Sequence, residues 1–275
     1  MDAISAGGAE IPVIGFGTWT LKGDACTDLV SEALAAGYRH IDTAIMYGNE
    51  EEVGKAIAGS SLARDDVFLT SKVWYTDIGP GDLERAAEAS LGRLGVETLD
   101  LLLIHWPNPQ IPLADSIGAL NRARERGLAR HIGVSNFTIG MLEEAVELSD
   151  APIVCNQVES HPMLDQRRVH AACREHDVAM TAYAPLGRGE ALSADPVKDA
   201  AEAHGKTAGQ VVLRWHVQQG GITCIPRSSH AERVRENIDI FDFELSDAEM
   251  DAIGTLRSAN YRICDADFAP TWDAP

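Results

Sequence analysis

The chain has 275 residues, 45% of them hydrophobic and 24% charged, which is typical of a globular protein with a substantial core and excludes disordered and fibrous classes. The 42 acidic residues outnumber the 23 Lys and Arg residues, so the formal net charge of -19 argues against nucleic acids and anionic membranes as partners. No apolar run is long enough to span a bilayer, and the N-terminal segment lacks the features of a signal peptide, so we expect a cytoplasmic protein.

The cysteine and basic residues give further limits. The five cysteines are spread along the chain without a C-x-x-C motif, and the histidines show no ligand spacing, so we predict free thiols and no metal site. Arginine outnumbers lysine by 18 to 5. Together with the acidic excess, this ratio suits a cytoplasm of high salt, although a GC-rich genome gives the same bias.

Short β-branched runs alternate with Ala-, Glu- and Arg-rich segments of helical periodicity, which indicates repeated βα units. Capping boxes are predicted at the starts of three later helices, at Thr207 with Gln210, Ser229 with Glu232 and Ser246 with Glu249. The eight predicted strands are Val13–Phe16, His40–Asp42, Val67–Val73, Leu99–His105, His131–Val134, Ile153–Val158, Ala179–Tyr183 and Ile222–Ile225.

Eight strands that alternate with helices, without a linker, predict one α/β domain over residues 1–275 with the (β/α)8 TIM barrel fold. Gly7-Gly8 predicts a β-hairpin ahead of the barrel, and a short tail follows the last helix. A doubly wound sheet is the rival fold. It requires a G-x-G-x-x-G motif after the first strand, and the third glycine is missing after Gly15-Phe16-Gly17.

Active sites of such barrels lie at the carboxyl ends of the strands, so the residues at those positions are the candidates for function. These positions carry polar, ionisable and aromatic side chains where apolar strands end. They are Gly17-Thr18-Trp19, Asp42, Lys72, His105-Trp106, Ser135-Asn136, Asn156-Gln157, Tyr183 and Arg227.

Three of these side chains, together with Tyr47 in the loop after the second strand, suggest acid catalysis. Tyr47 follows the second strand, and a tyrosine that acts as an acid needs a pKa below its ordinary value of about 10. The ammonium of Lys72 would lower that pKa, and a buried lysine needs a counter-ion, for which Asp42 is well placed. His105 ends the next strand, where a neutral imidazole could orient a carbonyl oxygen. Each residue alone also has a structural interpretation, but the set at adjacent strand ends favours function.

A second group suggests a site for an anion. Arg227 lies at the end of the last strand, and Arg233 and Arg235 lie on the helix that follows, where main-chain N–H groups and guanidinium groups together suit a phosphate. A salt-bridged surface helix is the alternative interpretation and explains Arg235 well. Tyr183 offers a flat face for a ring, and amide partners are available from Ser135, Asn136 and Gln157. The combination predicts a dinucleotide across the barrel mouth.

Aromatic side chains are expected to line the substrate pocket around this polar centre. Such a mouth admits sugars, keto acids and aryl aldehydes alike, so substrate identity stays open. The predicted substrate residues are Trp19, Met46, Trp74, His105 and Trp106, with Trp272 or Phe268 from the tail.

Over nearly its whole length, the chain closely resembles the aldo-keto reductase superfamily, and within it the prokaryotic branch of 2,5-diketo-D-gluconate reductases. The motifs that carry the resemblance are GFGTW, GYRHIDTAIMYGNEEEVG, LTSKVW, LDLLLIHWP, IGVSNF, NQVESHP, AYAPLG and IPRSSHAERVRENIDIFDFELSDAEMDAI.

The resemblance implies NADPH-dependent reduction of an aldehyde or ketone. It makes Tyr47 the proton donor, with Lys72 lowering its pKa, Asp42 supporting Lys72 and His105 orienting the carbonyl. Arg227 stands where the family usually has lysine and Ala184 where it often has serine. The implied cofactor residues are Gly17, Thr18, Trp19, Asp42, Ser135, Asn136, Gln157, Tyr183, Leu186, Gly187, Arg227, Ser228, Arg233, Glu236 and Asn237.

Two other functions remain as alternatives. A Schiff-base aldolase would use Lys72 as a nucleophile and would need no NADPH site. A barrel that binds NADPH as a redox sensor would show tight cofactor binding with negligible turnover. In each case we expect a small-molecule ligand and no obligate protein partner.

Overall fold

The computed structural model describes residues 2–275 and begins with an antiparallel hairpin of β1 (Ala3–Ala6) and β2 (Ala9–Pro12). Gly7 and Gly8 form the turn at φ values of 54° and 84°, a left-handed conformation that glycine adopts at little cost. The predicted hairpin is therefore confirmed. Its apolar side chains pack against barrel residues that include Leu101 and Val154, away from the carboxyl ends of the strands.

Eight parallel strands follow, each paired with the next in chain order. Main-chain hydrogen bonds from Gly15 N to Cys224 O, 2.8 Å, and from Gly17 N to Pro226 O, 3.0 Å, join the first of these strands to the last. The sheet thus closes into the predicted (β/α)8 barrel. The strands are β3 (Phe16–Gly17), β4 (His40–Asp42), β5 (Phe68–Val73), β6 (Leu99–Ile104), β7 (Ala129–Ser135), β8 (Ile153–Glu159), β9 (Ala179–Tyr183) and β10 (Ile222–Cys224).

The first barrel strand starts later than the sequence predicts. The hairpin takes the chain up to Pro12, and only Phe16 and Gly17 then pair with β4, with one isolated bridge at Ile14. The observed strand Phe16–Gly17 therefore lies further toward the C-terminus than the predicted strand Val13–Phe16. The other seven predicted strands overlap observed ones.

The helices surround the sheet, and a large cluster of buried apolar side chains fills the space between the two layers. They are α1 (Gly23–Ala36), α2 (Glu50–Ala58), α3 (Asp82–Leu94), α4 (Leu113–Glu125), α5 (Ile139–Leu148), α6 (Arg167–Glu175), α7 (Asp195–His204), α8 (Ala208–Gln218), α9 (Ala231–Ile238) and α10 (Asp247–Gly254).

Two of the three predicted capping boxes are present, at Thr207 and Ser246. The third prediction is wrong, because α9 has His230 at its N-cap without a side-chain cap. The serine that bonds at this helix start is Ser228 rather than Ser229. Its Oγ accepts a hydrogen bond from the main-chain N–H of His230 at 3.0 Å.

Residues 260–275 form a tail without regular secondary structure, which follows a last 3-10 helix, Thr255–Ala259. The tail returns to the loops at the carboxyl ends of the strands, where Tyr261 N donates to Met163 O at 2.8 Å. Within residues 2–275, no helix is both long enough and apolar enough to cross a membrane.

Candidate active site

Strands β4, β5 and β6 bring three of the predicted side chains together at one end of the barrel. Asp42 pairs with Thr70 in the parallel register, and Lys72 lies two residues further along β5 on the same face as Thr70. Ser71 lies on the opposite face, where its Oγ donates to Glu50 of α2 at 2.6 Å. The alternation of β5 therefore directs Lys72 into the barrel and Ser71 toward the helices.

Lys72 and Asp42 form a fully buried ion pair. Lys72 Nζ lies 2.6 Å from Asp42 Oδ1 and 2.8 Å from Thr43 O, while Gln157 Nε2 donates to Asp42 Oδ2 at 2.8 Å. Burial alone would lower the pKa of Lys72, but the charge of Asp42, the Tyr47 hydroxyl and the hydrogen bonds to both together outweigh it, and the pKa lies above its ordinary value. The amine is thus protonated and enclosed, which argues against the Schiff-base hypothesis.

The loop after β4 positions Tyr47. The chain forms a short 3-10 helix, Ile45–Tyr47, and the side chain of the buried Asn49 that follows holds the loop in place. Thr43 Oγ1 donates to Asn49 Oδ1 at 2.8 Å, and Asn49 Nδ2 donates to Thr18 O at 2.9 Å. This network joins the loop of β4 to the loop of β3.

Tyr47 lies above the ion pair, with its Oη 3.4 Å from Lys72 Nζ. Burial raises the pKa of Tyr47, Lys72 lowers it and Asp42 raises it, and the pKa as a whole lies above its ordinary value. The expectation of a lowered pKa is therefore wrong for this structure, although Lys72 acts in the predicted direction. The Lys72 cation offsets part of the increase in the Tyr47 pKa that burial causes, but not all of it.

His105 completes the group at the end of β6. Its ring meets Tyr47 edge to face at a centroid distance of 5.6 Å and meets Trp74 in the same way at 5.1 Å. Burial and, to a smaller extent, the Lys72 cation hold its pKa well below the ordinary value. The imidazole is consequently neutral at pH 7 and has one N–H to donate.

Strands β7, β8 and β9 present a second network of predicted residues. Asn136 adopts a left-handed conformation, with φ at 63°, and its Nδ2 donates to His105 O at 2.9 Å and to Ser135 Oγ at 3.1 Å. Tyr183 Oη donates to Asn136 Oδ1 at 2.8 Å, and Ser135 Oγ donates to Gln157 O at 2.7 Å. Asn136 thereby fixes the partly exposed Tyr183 ring at the edge of the mouth.

The guanidinium of Arg227 forms hydrogen bonds with the loop after β3. Its Nε donates to Trp19 O at 3.0 Å, and its guanidinium also contacts the hydroxyl of Thr20. Arg233 is exposed in the first turns of α9 and has no ion-pair partner among residues 2–275. Arg235, by contrast, pairs with Glu32 on α1, as the salt-bridge interpretation of that residue expects. Of these arginines, Arg233 is thus the one left without an internal partner.

The remaining predicted cofactor residues lie in or just after β3, just after β9, and on or just ahead of α9. The Thr18 hydroxyl donates to Asp42 O at 3.0 Å next to Gly17, and Glu236 Oε1 accepts from Thr207 Oγ1 at 2.6 Å. Asn237 is buried beside Glu236, and Ser228 is buried ahead of α9. Leu186 and Gly187 open the 3-10 helix Gly187–Ser193 after β9.

Aromatic rings form a wall around Tyr47 and His105. Trp19 is 45% exposed and lies 4.9 Å from the Tyr47 ring, and Met46 is also exposed at this edge. The tail contributes to the opposite side, where the centroid of Phe268 lies 5.6 Å from that of Trp74 and 5.4 Å from that of Trp106, and Trp272 lies 6.0 Å from Trp106. Ring contacts therefore join Trp19, Tyr47, His105, Trp74, Phe268, Trp106 and Trp272 in one continuous series, and both tail aromatics belong to it.

Sequence reasoning missed several members of the site. Tyr75 stacks on Phe268 at 4.5 Å, Asn49 holds the Tyr47 loop, and Glu159 binds the tail. Glu159 could have been found, because it follows Gln157 by two residues on the same strand face. The tail contacts could not, since they depend on how an irregular segment folds back. No cluster of three or more metal-ligating side chains occurs in the part of the chain that the structure describes.

A profile of the Aldo/keto reductase family matches residues 13–257. An aldo-keto reductase of Mycobacterium sp. (strain JLS) is 44% identical over 254 residues, which cover 92% of each chain.

Two solved structures are similar along almost their whole length. One, provisionally assigned as a 2,5-diketo-D-gluconic acid reductase B, has a TM-score of 0.97 and 43% identity over 100% of this chain and 98% of its own. The other is an aldo-keto reductase of Bombyx mori in complex with NADP, with a TM-score of 0.89 and 33% identity over 96% and 94% of the two chains.

Proposed function

Because this chain belongs to the aldo/keto reductase family, whose members are oxidoreductases acting on carbonyls, we propose that it reduces a small aldehyde or ketone to the alcohol with NADPH. One observation carries the proposal. The Tyr47 hydroxyl lies 3.4 Å from a buried ammonium and edge to face with a neutral imidazole, at the mouth of the barrel. This arrangement suits protonation of a carbonyl oxygen that gains negative charge.

Each side chain then has a distinct role. Tyr47 gives its proton to the carbonyl oxygen, and Lys72 stabilises the phenolate that is left behind. Asp42 holds the Lys72 ammonium in place through the 2.6 Å ion pair. His105 donates a hydrogen bond that orients the carbonyl, for which its neutral form is the required one.

The chain's own residues fit a dinucleotide. Tyr183 presents a partly exposed ring that the bond to Asn136 holds in one orientation, and Arg233 supplies a cation without an internal partner. When bound, NADPH supplies a hydride to the carbonyl carbon. Arg227 would turn from Trp19 and Thr20 toward a phosphate, or share its planar guanidinium between them.

The substrate is proposed to be a sugar-derived or keto-acid carbonyl such as 2,5-diketo-gluconate. The support is the structural likeness to a protein provisionally assigned that activity, together with a mouth that surrounds a polar centre with aromatic rings. We further propose a cytoplasmic enzyme that works without an obligate protein partner. Because the net charge is -19, its activity is to be measured at molar as well as at low salt.

The experiment follows the loss of NADPH absorbance with aldehydes, keto acids and 2,5-diketo-gluconate, for the wild type and Tyr47→Phe. We expect turnover with one or more substrates in the wild type, nearly complete loss in the variant, and little change in NADPH affinity. Retained turnover in Tyr47→Phe would contradict the assigned role. Tight NADPH binding without turnover in the wild type would favour a sensor, and trapping of Lys72 by borohydride would favour an aldolase.

A further inference from the structure

Glu159 is a buried carboxylate that the proposed reaction does not use. It lies at the carboxyl end of β8 and is 0% exposed. Its Oε1 accepts from the main-chain N–H of Ile263 at 2.7 Å, and its Oε2 accepts from that of Cys264 at 2.6 Å. His161 Nε2 lies 3.0 Å from Oε1. One side chain of the barrel thus binds two successive main-chain N–H groups of the tail.

The tail segment that Glu159 binds leads directly to the mouth. Cys264, whose main-chain N–H Glu159 binds, is followed by Asp265, whose Oδ1 accepts a hydrogen bond from Trp272 Nε1 at 2.9 Å. Four residues after Cys264, Phe268 stacks on Tyr75 at 4.5 Å. The segment from Cys264 to Phe268 therefore forms one wall of the mouth.

We propose that Glu159 is a positioning residue that holds residues 263–272 against the mouth and thereby shapes the substrate pocket. The proposal rests on the proposed function, because it assigns the tail to the pocket for the carbonyl substrate. Glu159 binds the tail through main-chain N–H groups, so the position of the tail depends little on which side chains stand at 263 and 264.

A carboxylate is the group that this position requires. Its two oxygens accept both tail N–H groups in charge-assisted hydrogen bonds, which are about twice as strong as neutral ones. Burial raises the pKa of Glu159, but the hydrogen bonds from His161, Ile263 and Cys264 outweigh burial and lower it, so the group is ionised at neutral pH. A glutamine has one oxygen and one NH2 group, and the NH2 group would face a tail N–H as donor against donor.

The test compares Glu159→Gln with the wild type by hydrogen exchange of the tail amides. We expect exchange at Ile263 and Cys264 to accelerate roughly 10-fold or more, since each loses a hydrogen bond to a charged acceptor. We also expect KM for a bulky aromatic aldehyde to rise several-fold and kcat for a small aldehyde to stay within about twofold, because a small substrate does not reach the tail.

Two control variants separate this role from general loosening of the fold. Glu50→Gln changes another buried glutamate, which is 1% exposed and bonded to Ser71, Ser90 and Arg93 on the helix side of β5. It is expected to lower stability without faster exchange in the tail. Cys264→Ala removes the thiol and keeps the main-chain N–H, so tail exchange should stay as in the wild type.

Unchanged exchange in Glu159→Gln, or equal acceleration in Glu50→Gln, would overturn the proposal. If Glu159→Gln does not fold, Ile263→Pro removes one donor from the tail side. It should accelerate exchange at Cys264, and no acceleration there would be equally decisive. If the wild type reduces no carbonyl, the proposed function fails, while the exchange measurements still decide whether Glu159 holds the tail.

Discussion

Replacing Lys72 by methionine separates the structural from the catalytic part of the buried ion pair. The substitution leaves the Asp42 carboxylate 1% exposed with Gln157 as its remaining side-chain donor, at 2.8 Å. Removing one partner of a buried ion pair costs about 3–5 kcal/mol. At roughly 2–4 °C per kcal/mol for a chain of this size, we expect the unfolding midpoint to fall by about 6–20 °C.

A second substitution distinguishes the two roles. In Lys72→Met with Asp42→Asn the buried charge is gone, so we expect calorimetry to show recovery of about 2 kcal/mol or more of the lost stability. Turnover should remain about 100-fold or more below the wild type in both variants, because neither has a cation beside the Tyr47 hydroxyl. Recovery of turnover in the double variant, or a single variant as stable as the wild type, would refute the reasoning.

Three further predictions test other parts of the structure. Arg227→Ala should weaken NADPH binding more than NADH binding in fluorescence titrations, and equal losses would exclude a phosphate contact. Burial lowers the pKa of His216 from 6.5 to about 4, so its protonation on unfolding should contribute about 2 kcal/mol to the loss of stability between pH 7.5 and pH 5. His216→Asn should make that loss smaller by this amount in urea titrations, and an unchanged loss would contradict the assignment. Gly54→Ala should lower the free energy of unfolding by about 1–3 kcal/mol, because the new Cβ would clash with Leu94 O. Gly92→Ala has open space around the new Cβ and should raise the free energy of unfolding by about 0.5–1 kcal/mol, so equal unfolding midpoints for the two variants would contradict this.

The barrel could be predicted because its signals are local and repeated. Each strand is a short apolar run that ends in a polar residue, and the parallel order then places Asp42 beside Lys72 with no further information. The start of the first strand could not be placed in this way. The chain between Pro12 and Phe16 pairs mainly with β10, which is more than 200 residues away in sequence, and periodicity over a few residues carries no signal of such a pairing.

The site shows the same division between local and distant information. The role proposed for Lys72 needs only neighbouring strand ends, and the 2.6 Å ion pair with Asp42 is consistent with it. Arg227 differs, because its guanidinium is held by Trp19 and Thr20 on a loop that the sequence places at the other end of the chain. Glu159 differs for the same reason, since its partners are main-chain groups of the tail, which leave no trace in residue type.

The direction of the Tyr47 pKa shift bears on the proposed role of this side chain as a proton donor. Because burial outweighs the Lys72 cation, the hydroxyl keeps its proton through neutral pH and is available as an acid for carbonyl reduction. Lys72 acts most strongly when negative charge develops on the Tyr47 oxygen during proton transfer, since the attraction of its cation grows with that charge. The ion pair with Asp42 keeps this cation beside the Tyr47 hydroxyl, where the proposed proton transfer needs it.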